Sequence, residues 1–253
     1  MTAHRVLELL PVPALADNYI WILHDGSAAI AVDPGEAAPV DAALRAARLR
    51  LVAIFLTHHH ADHIGGATAL ARQHGCVVHG PTDPRIDTPR EPLVDGATVA
   101  VAELGARFDA IAVPGHTTSH LAIHGHDVLF CGDTLFSVGC GRLFEGTPAQ
   151  MLDSLDRLAA LPDATRVCCG HEYTVANCRF ALSVEPGNAA LARRMEEAQA
   201  LRAQGLPTVP STLAGELATN PVLRSDVPEI RRSLGLGDAL DRDSRVAAFA
   251  ALR

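Results

Sequence analysis

The sequence has no long apolar run and relatively few basic residues. No segment approaches the ~20 consecutive apolar residues that a membrane-spanning helix needs, and residues 1–10 contain no signal-peptide core followed by a small-residue cleavage site. Secretion and membrane insertion are therefore not expected, and the cytoplasm is the predicted location. The net charge of −8 does not favour nucleic acid as a partner, because phosphate binding depends on Lys and Arg.

Cysteines are few and follow no pattern. The six have no CxxC spacing and lie mostly in apolar surroundings; they are Cys76, Cys131, Cys140, Cys168, Cys169 and Cys178. Their distribution predicts buried, reduced thiols rather than a disulfide framework. Apolar residues, by contrast, make up 48% of the 253 positions, which is enough for one medium domain or two unequal ones.

Short apolar segments between Gly, Pro and Asp predict strands up to about residue 170. The predicted strands are 19–23, 28–32, 51–56, 98–104, 110–113, 121–124, 128–131 and 167–169. Helical patterns lie between some of them, at 40–49, 65–74 and 148–160. The last has Thr147 as its N-cap and Pro148 at the first helical position. Strands interspersed with helices indicate a layered α/β domain.

The pattern changes after Tyr173. Helix-forming segments at 174–184, 188–204 and 244–252 follow, and strand patterns nearly vanish. The C-terminal third is therefore predicted to be mostly helical. We expect one domain over 1–172 and a second over 173–253.

A cluster of metal-ligand residue types follows the predicted strand 51–56. His58, His60, Asp62 and His63 lie in the loop between that strand and the next predicted helix. Such loops commonly present ligands on a rigid sheet, and imidazole and carboxylate groups suit zinc and related divalent ions. Two His separated by one residue can converge on one ion, and we expect His59 between them to point away.

Three further residues of metal-ligand type occur at comparable positions, each after a predicted strand and beside a glycine that permits a tight turn. They are His116, Asp133 and His171. A single His at a strand end is more often a hydrogen-bonded surface residue than a ligand. Four residues of metal-ligand type lie within six positions, and three more follow at separate positions. This grouping favours metal binding over a solvated polar loop or a fortuitous His-rich tract. His120 is close enough to His116 to support it.

The segment Thr57-His58-His59-His60-Ala61-Asp62-His63 resembles the THxHxDH signature of the metallo-β-lactamase superfamily. The resemblance narrows to the glyoxalase II family, the hydroxyacylglutathione hydrolases, because five other segments also match. These segments are 17–21 (DNYIW), 132–136 (GDTLF), 139–147 (GCGRLFEGT), 170–174 (GHEYT) and 220–224 (NPVLR). They span nearly the whole chain, including the helical tail that most superfamily members lack.

This resemblance implies an αββα metallo-β-lactamase sandwich with a helical C-terminal domain that helps to bind glutathione. It implies two divalent metal ions, most simply zinc, with iron or manganese as alternatives. In the family pattern His58, His60 and His116 hold the first ion. Asp62, His63 and His171 hold the second. Asp133 bridges the two. The implied substrate contacts are Arg142, Phe144, Tyr173 and Arg253.

The sequence departs from the family pattern at the implied substrate contacts. Arg142 and Phe144 stand where the family often has Lys and Tyr. Arginine keeps a cation for a glutathione carboxylate, whereas Phe144 has no hydroxyl to donate. The family's C-terminal basic pair is represented here by Arg253 alone. Substrate affinity is therefore less firmly predicted than the metal site.

The implied reaction is hydrolysis of a glutathione thioester such as S-D-lactoylglutathione. Two ions ~4 Å apart share a water, lower its pKa and present hydroxide to the carbonyl carbon, and Asp62 is expected to orient it. Asp62 and Asp133 are thus the candidate catalytic carboxylates. Because a thiol pKa near ~8.5 lets the thiolate leave unprotonated, no general acid is required. A monomer that binds a small-molecule substrate, and neither nucleic acid nor membrane, is expected.

Other functions compete with this interpretation. A one-iron glutathione persulfide dioxygenase shares much of the motif, but the complete second-site set and segments 139–147 and 220–224 favour the hydrolase. A lactonase or β-lactamase is disfavoured on the same grounds. A nuclease on this fold would need a basic face, and a non-catalytic protein would be expected to lose some of the seven ligands.

Overall fold

The computed structural model describes residues 7–237 and 239–253, which form two compact units. Unit 1 consists of the described residues up to Ala112 together with Ser119–Gly132. Unit 2 consists of Val113–Thr118 and Asp133–Arg253. Among the described residues, no helix combines the length and apolarity needed to cross a bilayer.

Unit 1 contains ten strands and three helices among its described residues. The strands are β1 (Glu8–Ala14), β2 (Asn18–His24), β3 (Ala28–Val32), β4 (Arg50–Phe55), β5 (Val77–Pro81), β6 (Glu91–Leu93), β7 (Thr98–Val101), β8 (Ala106–Ala112), β9 (Leu121–Gly125) and β10 (Val128–Gly132). The helices are α1 (Ala37–Ala47), α2 (Ala61–Ile64) and α3 (Ala67–His74). Strands β1 to β6 form a mixed sheet in chain order, and β7 to β10 form antiparallel pairs in sequence.

The mixed sheet of unit 1 is buried on both faces. One face packs against α1 and α3 in a core that includes Ile22, Ile54 and Leu70. On the other face Phe55 of β4 contacts Phe108 of β8 at 5.5 Å between ring centroids. Burial on both faces explains why β3 and β4 are almost continuously apolar instead of alternating. It also makes the ends of these strands a rigid support for the loops that follow.

Unit 2 contains the remaining elements. They are β11 (Leu135–Phe136), β12 (Gly139–Cys140), α4 (Pro148–Ala159), β13 (Arg166–Cys169), α5 (Thr174–Val184), α6 (Ala189–Ala203), β14 (Ser211–Thr212), α7 (Leu213–Thr219), α8 (Pro228–Ser233) and α9 (Arg242–Leu252). A buried cluster including Val138, Cys178 and Leu191 joins the β11–β12 hairpin to α5 and α6. Helix α9 packs against α4, where Arg245 makes a two-point contact with Asp156.

Most predicted elements are confirmed. Helix α5 has the predicted bounds, and α4 begins with a capping box in which Thr147 accepts from the Gln150 backbone N–H. The predicted helix 65–74 was wrong at its start, because α2 precedes it and α3 begins only at Ala67. Strands β1, β5, β6, β11, β12 and β14 and helices α7 and α8 were not predicted. The six cysteines are free thiols, as expected, and five of them are buried; Cys76, which was also predicted to be buried, is only partly so.

Candidate metal centre

The first donor set lies in the loop and short helix that follow β4 in unit 1. Nε2 of His58 lies 3.0 Å from Nδ1 of His60. Two nitrogens bound to one tetrahedral Zn²⁺ at ~2.05 Å would be about 3.3 Å apart. The two imidazoles therefore meet at the separation expected of ligands to a common ion.

Asp33, directly after β3, organises this loop. Strands β3 and β4 are parallel neighbours, so Asp33 lies beside Thr57, the second residue beyond β4. Its Oδ1 accepts from the Thr57 backbone N–H at 2.8 Å, and its Oδ2 accepts from the Thr57 hydroxyl at 2.7 Å. The same oxygen lies 2.9 Å from Nδ1 of His63. A carboxylate there holds the proton on Nδ1 of His63 and leaves Nε2 available to bind a metal ion.

Thr57 continues this chain to His58. Its Oγ1 donates to Asp33 and lies 3.0 Å from Nδ1 of His58, so the hydroxyl oxygen accepts from the His58 ring. That contact leaves Nε2 of His58 facing His60. Asp33, His58 and His63 are all buried, with ligand-type atoms within 4.8 Å of one another. Both Asp33 oxygens accept hydrogen bonds from Thr57 or His63. Asp33 therefore orients the candidate ligand His63 directly and the candidate ligand His58 through Thr57.

Asp62 is held in the first turn of α2. Its Oδ2 accepts from Nδ2 of Asn18 at 2.9 Å and lies 3.5 Å from Nε2 of His63. Gly35 packs so closely that a Cβ there would overlap the Asp62 carbonyl oxygen. Any side chain at Gly35 would therefore displace α2 and with it the candidate ligands Asp62 and His63.

The second donor set, in unit 2, is centred on Asp133. Its Oδ2 lies 3.4 Å from Nε2 of His116 and 3.4 Å from Nε2 of His171. All three side chains are buried. One carboxylate oxygen facing two imidazole nitrogens at this separation has the spacing of ligands around a cation.

Neighbouring groups orient both histidines of unit 2. Nδ1 of His116 donates to the Arg142 carbonyl oxygen at 2.8 Å, which leaves Nε2 toward Asp133. The Tyr173 ring stacks on His171 with centroids 4.9 Å apart and an interplanar angle of 3°. Phe144 lies edge-on to His116 at 5.2 Å and is 62% exposed.

Arg253 lies against the β11–β12 hairpin. Its Nη1 donates to the Cys140 carbonyl oxygen at 3.1 Å. A cavity of about 220 Å³ adjoins it, lined by residues that include Asn177, Phe180 and Val222. Of the predicted substrate contacts, Tyr173 and Phe144 thus adjoin metal-ligand candidates, Arg142 contributes its backbone, and Arg253 lies at this cavity.

Two other histidines of the motif region differ in their contacts. His59 has Nδ1 3.5 Å from Oδ2 of Asp83, a contact outside the donor set, as the chain alternation predicts. His120 stacks on His58 at 4.6 Å between centroids, so within unit 1 it supports His58.

Sequence reasoning missed Asp33 and the role of Asn18. Asp33 carried a usable signal, since it is a carboxylate directly after a buried strand and before Pro34-Gly35, in the same kind of position as the predicted ligands. Asn18 lay within a matching segment but had no assigned role, because its partner Asp62 is 44 positions away.

The chemistry of the donors fits divalent metal ions. All seven are imidazole or carboxylate groups, and those within each unit approach to ligand spacing. The His63 and His116 rings each have one nitrogen held by an oxygen acceptor, the arrangement that fixes the tautomer of a metal-binding histidine.

Comparison with known proteins identifies the family. Residues 14–171 match the model of the metallo-beta-lactamase superfamily, and residues 172–253 match that of the hydroxyacylglutathione hydrolase C-terminus. The hydroxyacylglutathione hydrolase of Alkalilimnicola ehrlichii is 51% identical over 248 residues, which cover 97% of each chain. The chain belongs to the hydroxyacylglutathione hydrolase family. The predicted metallo-β-lactamase sandwich with a mostly helical C-terminal region is thereby confirmed.

Solved structures give the same fold. ETHE1 from Myxococcus xanthus has a TM-score of 0.67 and 24% identity, covering 97% of this chain and 90% of its own. This likeness shows the fold alone. A protein titled TTHA1623 in a di-iron-bound form has a TM-score of 0.56 and 28% identity, covering 64% of this chain and 91% of its own. Hydroxyacylglutathione hydrolases thus share their fold with proteins of other names, and the function depends on the residues of the site.

Proposed function

We propose that this protein hydrolyses S-(2-hydroxyacyl)glutathione thioesters, converting S-D-lactoylglutathione to D-lactate and glutathione, the second step of methylglyoxal detoxification. The observation that carries the proposal is the 51% identity to a hydroxyacylglutathione hydrolase over 97% of both chains. The C-terminal family match over residues 172–253 supports the same substrate class.

The proposed catalyst is a centre of two divalent ions, most simply zinc. His58, His60 and His116 would hold one ion; Asp62, His63 and His171 would hold the other; Asp133 would bridge them. The 3.0 Å spacing of His58 and His60 and the 3.4 Å spacings around Asp133 support this assignment. The di-iron form of TTHA1623 supports a two-metal site on this fold.

When bound, two such ions would supply Lewis-acid chemistry, lowering the pKa of the attacking water and polarising the thioester carbonyl. Asp62, with Oδ2 held by Asn18, is proposed to orient the attacking water. Asp33 and the Arg142 carbonyl keep protons on Nδ1 of His63 and His116, so that Nε2 of each ring remains a donor to metal. The departing glutathione thiolate needs no general acid, because a thiol pKa near ~8.5 makes it an adequate leaving group.

The proposed substrate-binding residues are Arg142, Phe144, Tyr173 and Arg253. They suit a substrate with carboxylates at one end, because Arg142 and Arg253 supply cations while Phe144 and Tyr173 supply apolar surface. We further propose residues 1–172 as the catalytic domain and 173–253 as the substrate-binding domain, in agreement with the limits of the two family matches. We also propose that the protein is a cytoplasmic monomer.

Two assays of the purified protein test this function. One follows thiol release from S-D-lactoylglutathione, and the other follows oxygen consumption with glutathione persulfide. The proposal predicts rapid thiol release and no oxygen consumption. Oxygen consumption with the persulfide, without thioester hydrolysis, would instead identify a dioxygenase on the same fold.

Arg253→Ala is expected to raise KM about tenfold with kcat nearly unchanged, because a lost charged contact to a carboxylate removes about 1.5 kcal/mol of binding. Arg242→Ala is the matched control, since it removes the arginine at the other end of α9, which pairs with Asp153. Steady-state kinetics of both variants check this. Equal KM values for the two would show that Arg253 does not bind substrate.

Asp33→Asn is expected to weaken metal binding by about 10-fold to 100-fold, because a group that orients a ligand contributes this much. An amide has only one acceptor oxygen, so asparagine cannot accept both from the Thr57 backbone N–H at the Oδ1 position and from the Thr57 hydroxyl and His63 Nδ1 at the Oδ2 position. The measurement is the metal content that each protein retains after incubation with a chelator. Asp41→Asn, which changes a carboxylate paired with His74, should retain metal like the wild type, and equal retention by Asp33→Asn would contradict the assigned role.

A further inference from the structure

The β11–β12 hairpin turns at Ser137 and Val138 in an unfavourable conformation. Val138 has φ +61°, a region in which a β-branched residue is a genuine outlier. A valine persists there only when surrounding contacts determine the backbone. The turn must therefore be held from outside the hairpin.

Two buried side chains from the C-terminal part of unit 2 hold it. Glu216 is 1% exposed, and its Oε2 accepts from the Val138 backbone N–H at 2.7 Å. Asn220 is fully buried and donates through Nδ2 to the carbonyl oxygens of Phe136 at 3.1 Å and Gly139 at 3.0 Å. The same amide lies 2.9 Å from Glu216 Oε2. Glu216 and Asn220 together therefore bond to Val138 in the turn and to the residues on either side of the turn.

Two more side chains contact the other turn residue. Nδ2 of Asn177 donates to the Ser137 carbonyl oxygen at 2.9 Å, and Nη2 of Arg194 donates to Ser137 Oγ at 3.1 Å. Helices α5 and α6 thus contact Ser137, and α7 contacts Val138 through Glu216.

The hairpin leads directly into the second donor set. Asp133 lies two residues before β11, and Arg142, whose carbonyl oxygen accepts from His116, lies two residues after β12. The Phe136 ring packs edge-on against His171 at 5.8 Å. A shift of the turn would therefore reach Asp133, His116 and His171 together.

We propose that Glu216 and Asn220 are positioning residues of the metal centre, acting through the Ser137–Val138 turn to set Asp133, His116 and His171. The inference rests on the proposed metal-binding function of those three residues. It gives the C-terminal region a role in forming the metal site, in addition to substrate binding.

The test uses Co²⁺ as the probe on the metal-stripped full-length protein, without substrate. Glu216→Ala and Asn220→Ala are expected to lower Co²⁺ affinity about tenfold or more, as loss of an outer contact does, and to alter the visible Co²⁺ spectrum. Glu216→Gln keeps a carbonyl oxygen for the Val138 N–H and is expected to restore most of the affinity.

Glu185→Ala is the matched control for simple destabilisation. Glu185 is equally buried in unit 2 at 3% exposure, but it pairs with Arg224 and has no described bond to the turn. It is expected to lower the thermal midpoint while leaving the Co²⁺ spectrum and affinity unchanged. A Glu216→Ala protein with wild-type Co²⁺ binding, or a Glu185→Ala protein with the same Co²⁺ defect, would overturn the proposal.

A milder variant covers the case in which Glu216→Ala fails to fold. Asn177→Ala removes one half-buried contact to Ser137 and is expected to shift Co²⁺ affinity in the same direction by a smaller factor, whereas unchanged affinity would count against the proposal. The Co²⁺ measurements contain no substrate, so they test the positioning role of Glu216 and Asn220 separately from thioester hydrolysis. Hydrolysis is tested with the wild-type protein alone.

Discussion

Asp133→Ala is expected to lower kcat/KM about 10³-fold or more and to reduce metal content. Asp133 is the proposed bridge, and its Oδ2 lies 3.4 Å from Nε2 of both His116 and His171. Its removal leaves the two imidazoles without a shared anionic partner and would take away the proposed common ligand of the two ions. Losing the charge stabilisation that bound metals would supply raises the activation barrier by several kcal/mol, and each ~1.4 kcal/mol lowers the rate about tenfold.

The measurement is steady-state hydrolysis of S-D-lactoylglutathione with metal analysis of the same sample. Asp153→Ala serves as the control, because it also removes a carboxylate from unit 2 but one that is exposed and paired with Arg242. Full activity and full metal content in Asp133→Ala would show that the two-metal assignment is wrong.

His58→Ala and His59→Ala form a second, closely matched pair. His58→Ala is expected to lower kcat/KM about 10³-fold, because Nε2 of His58 meets Nδ1 of His60 at ligand spacing. His59→Ala is expected to stay within about tenfold of the wild type, because Nδ1 of His59 faces Asp83 outside the donor set.

Comparing adjacent residues removes most differences in folding context. Metal content should follow the same order, low in His58→Ala and near wild type in His59→Ala. Equal losses in the two variants would mean that the loop as a whole, and not the alternation of donors along it, determines activity.

Much of the fold could be predicted because the deciding signals are local. Thr147 and Pro148 specify the start of α4, and the apolar segment 28–32 defines β3. The donor residues were predictable for the same reason, since each follows a strand whose pattern is visible in the sequence. The roles of the donors in two sites came from the family resemblance, which the comparisons bear out at the level of the family.

What could not be predicted depends on contacts between distant residues. Asp33 and Thr57 meet because β3 and β4 pair in parallel, and no local pattern reveals that pairing. Glu216 contacts Val138 across 78 positions, and a valine with positive φ is the opposite of what turn preferences predict. The start of α3 was misplaced because α2, which carries Asp62 and His63, is a separate single turn.

The most direct test of the central claim is a metal titration of the stripped protein while S-D-lactoylglutathione hydrolysis is followed. The proposed two-ion centre predicts an inactive stripped protein whose thiol release rises with added Zn²⁺ and reaches its plateau at two ions per chain. Full hydrolysis in the stripped protein, or a plateau at one ion with no further gain, would contradict it.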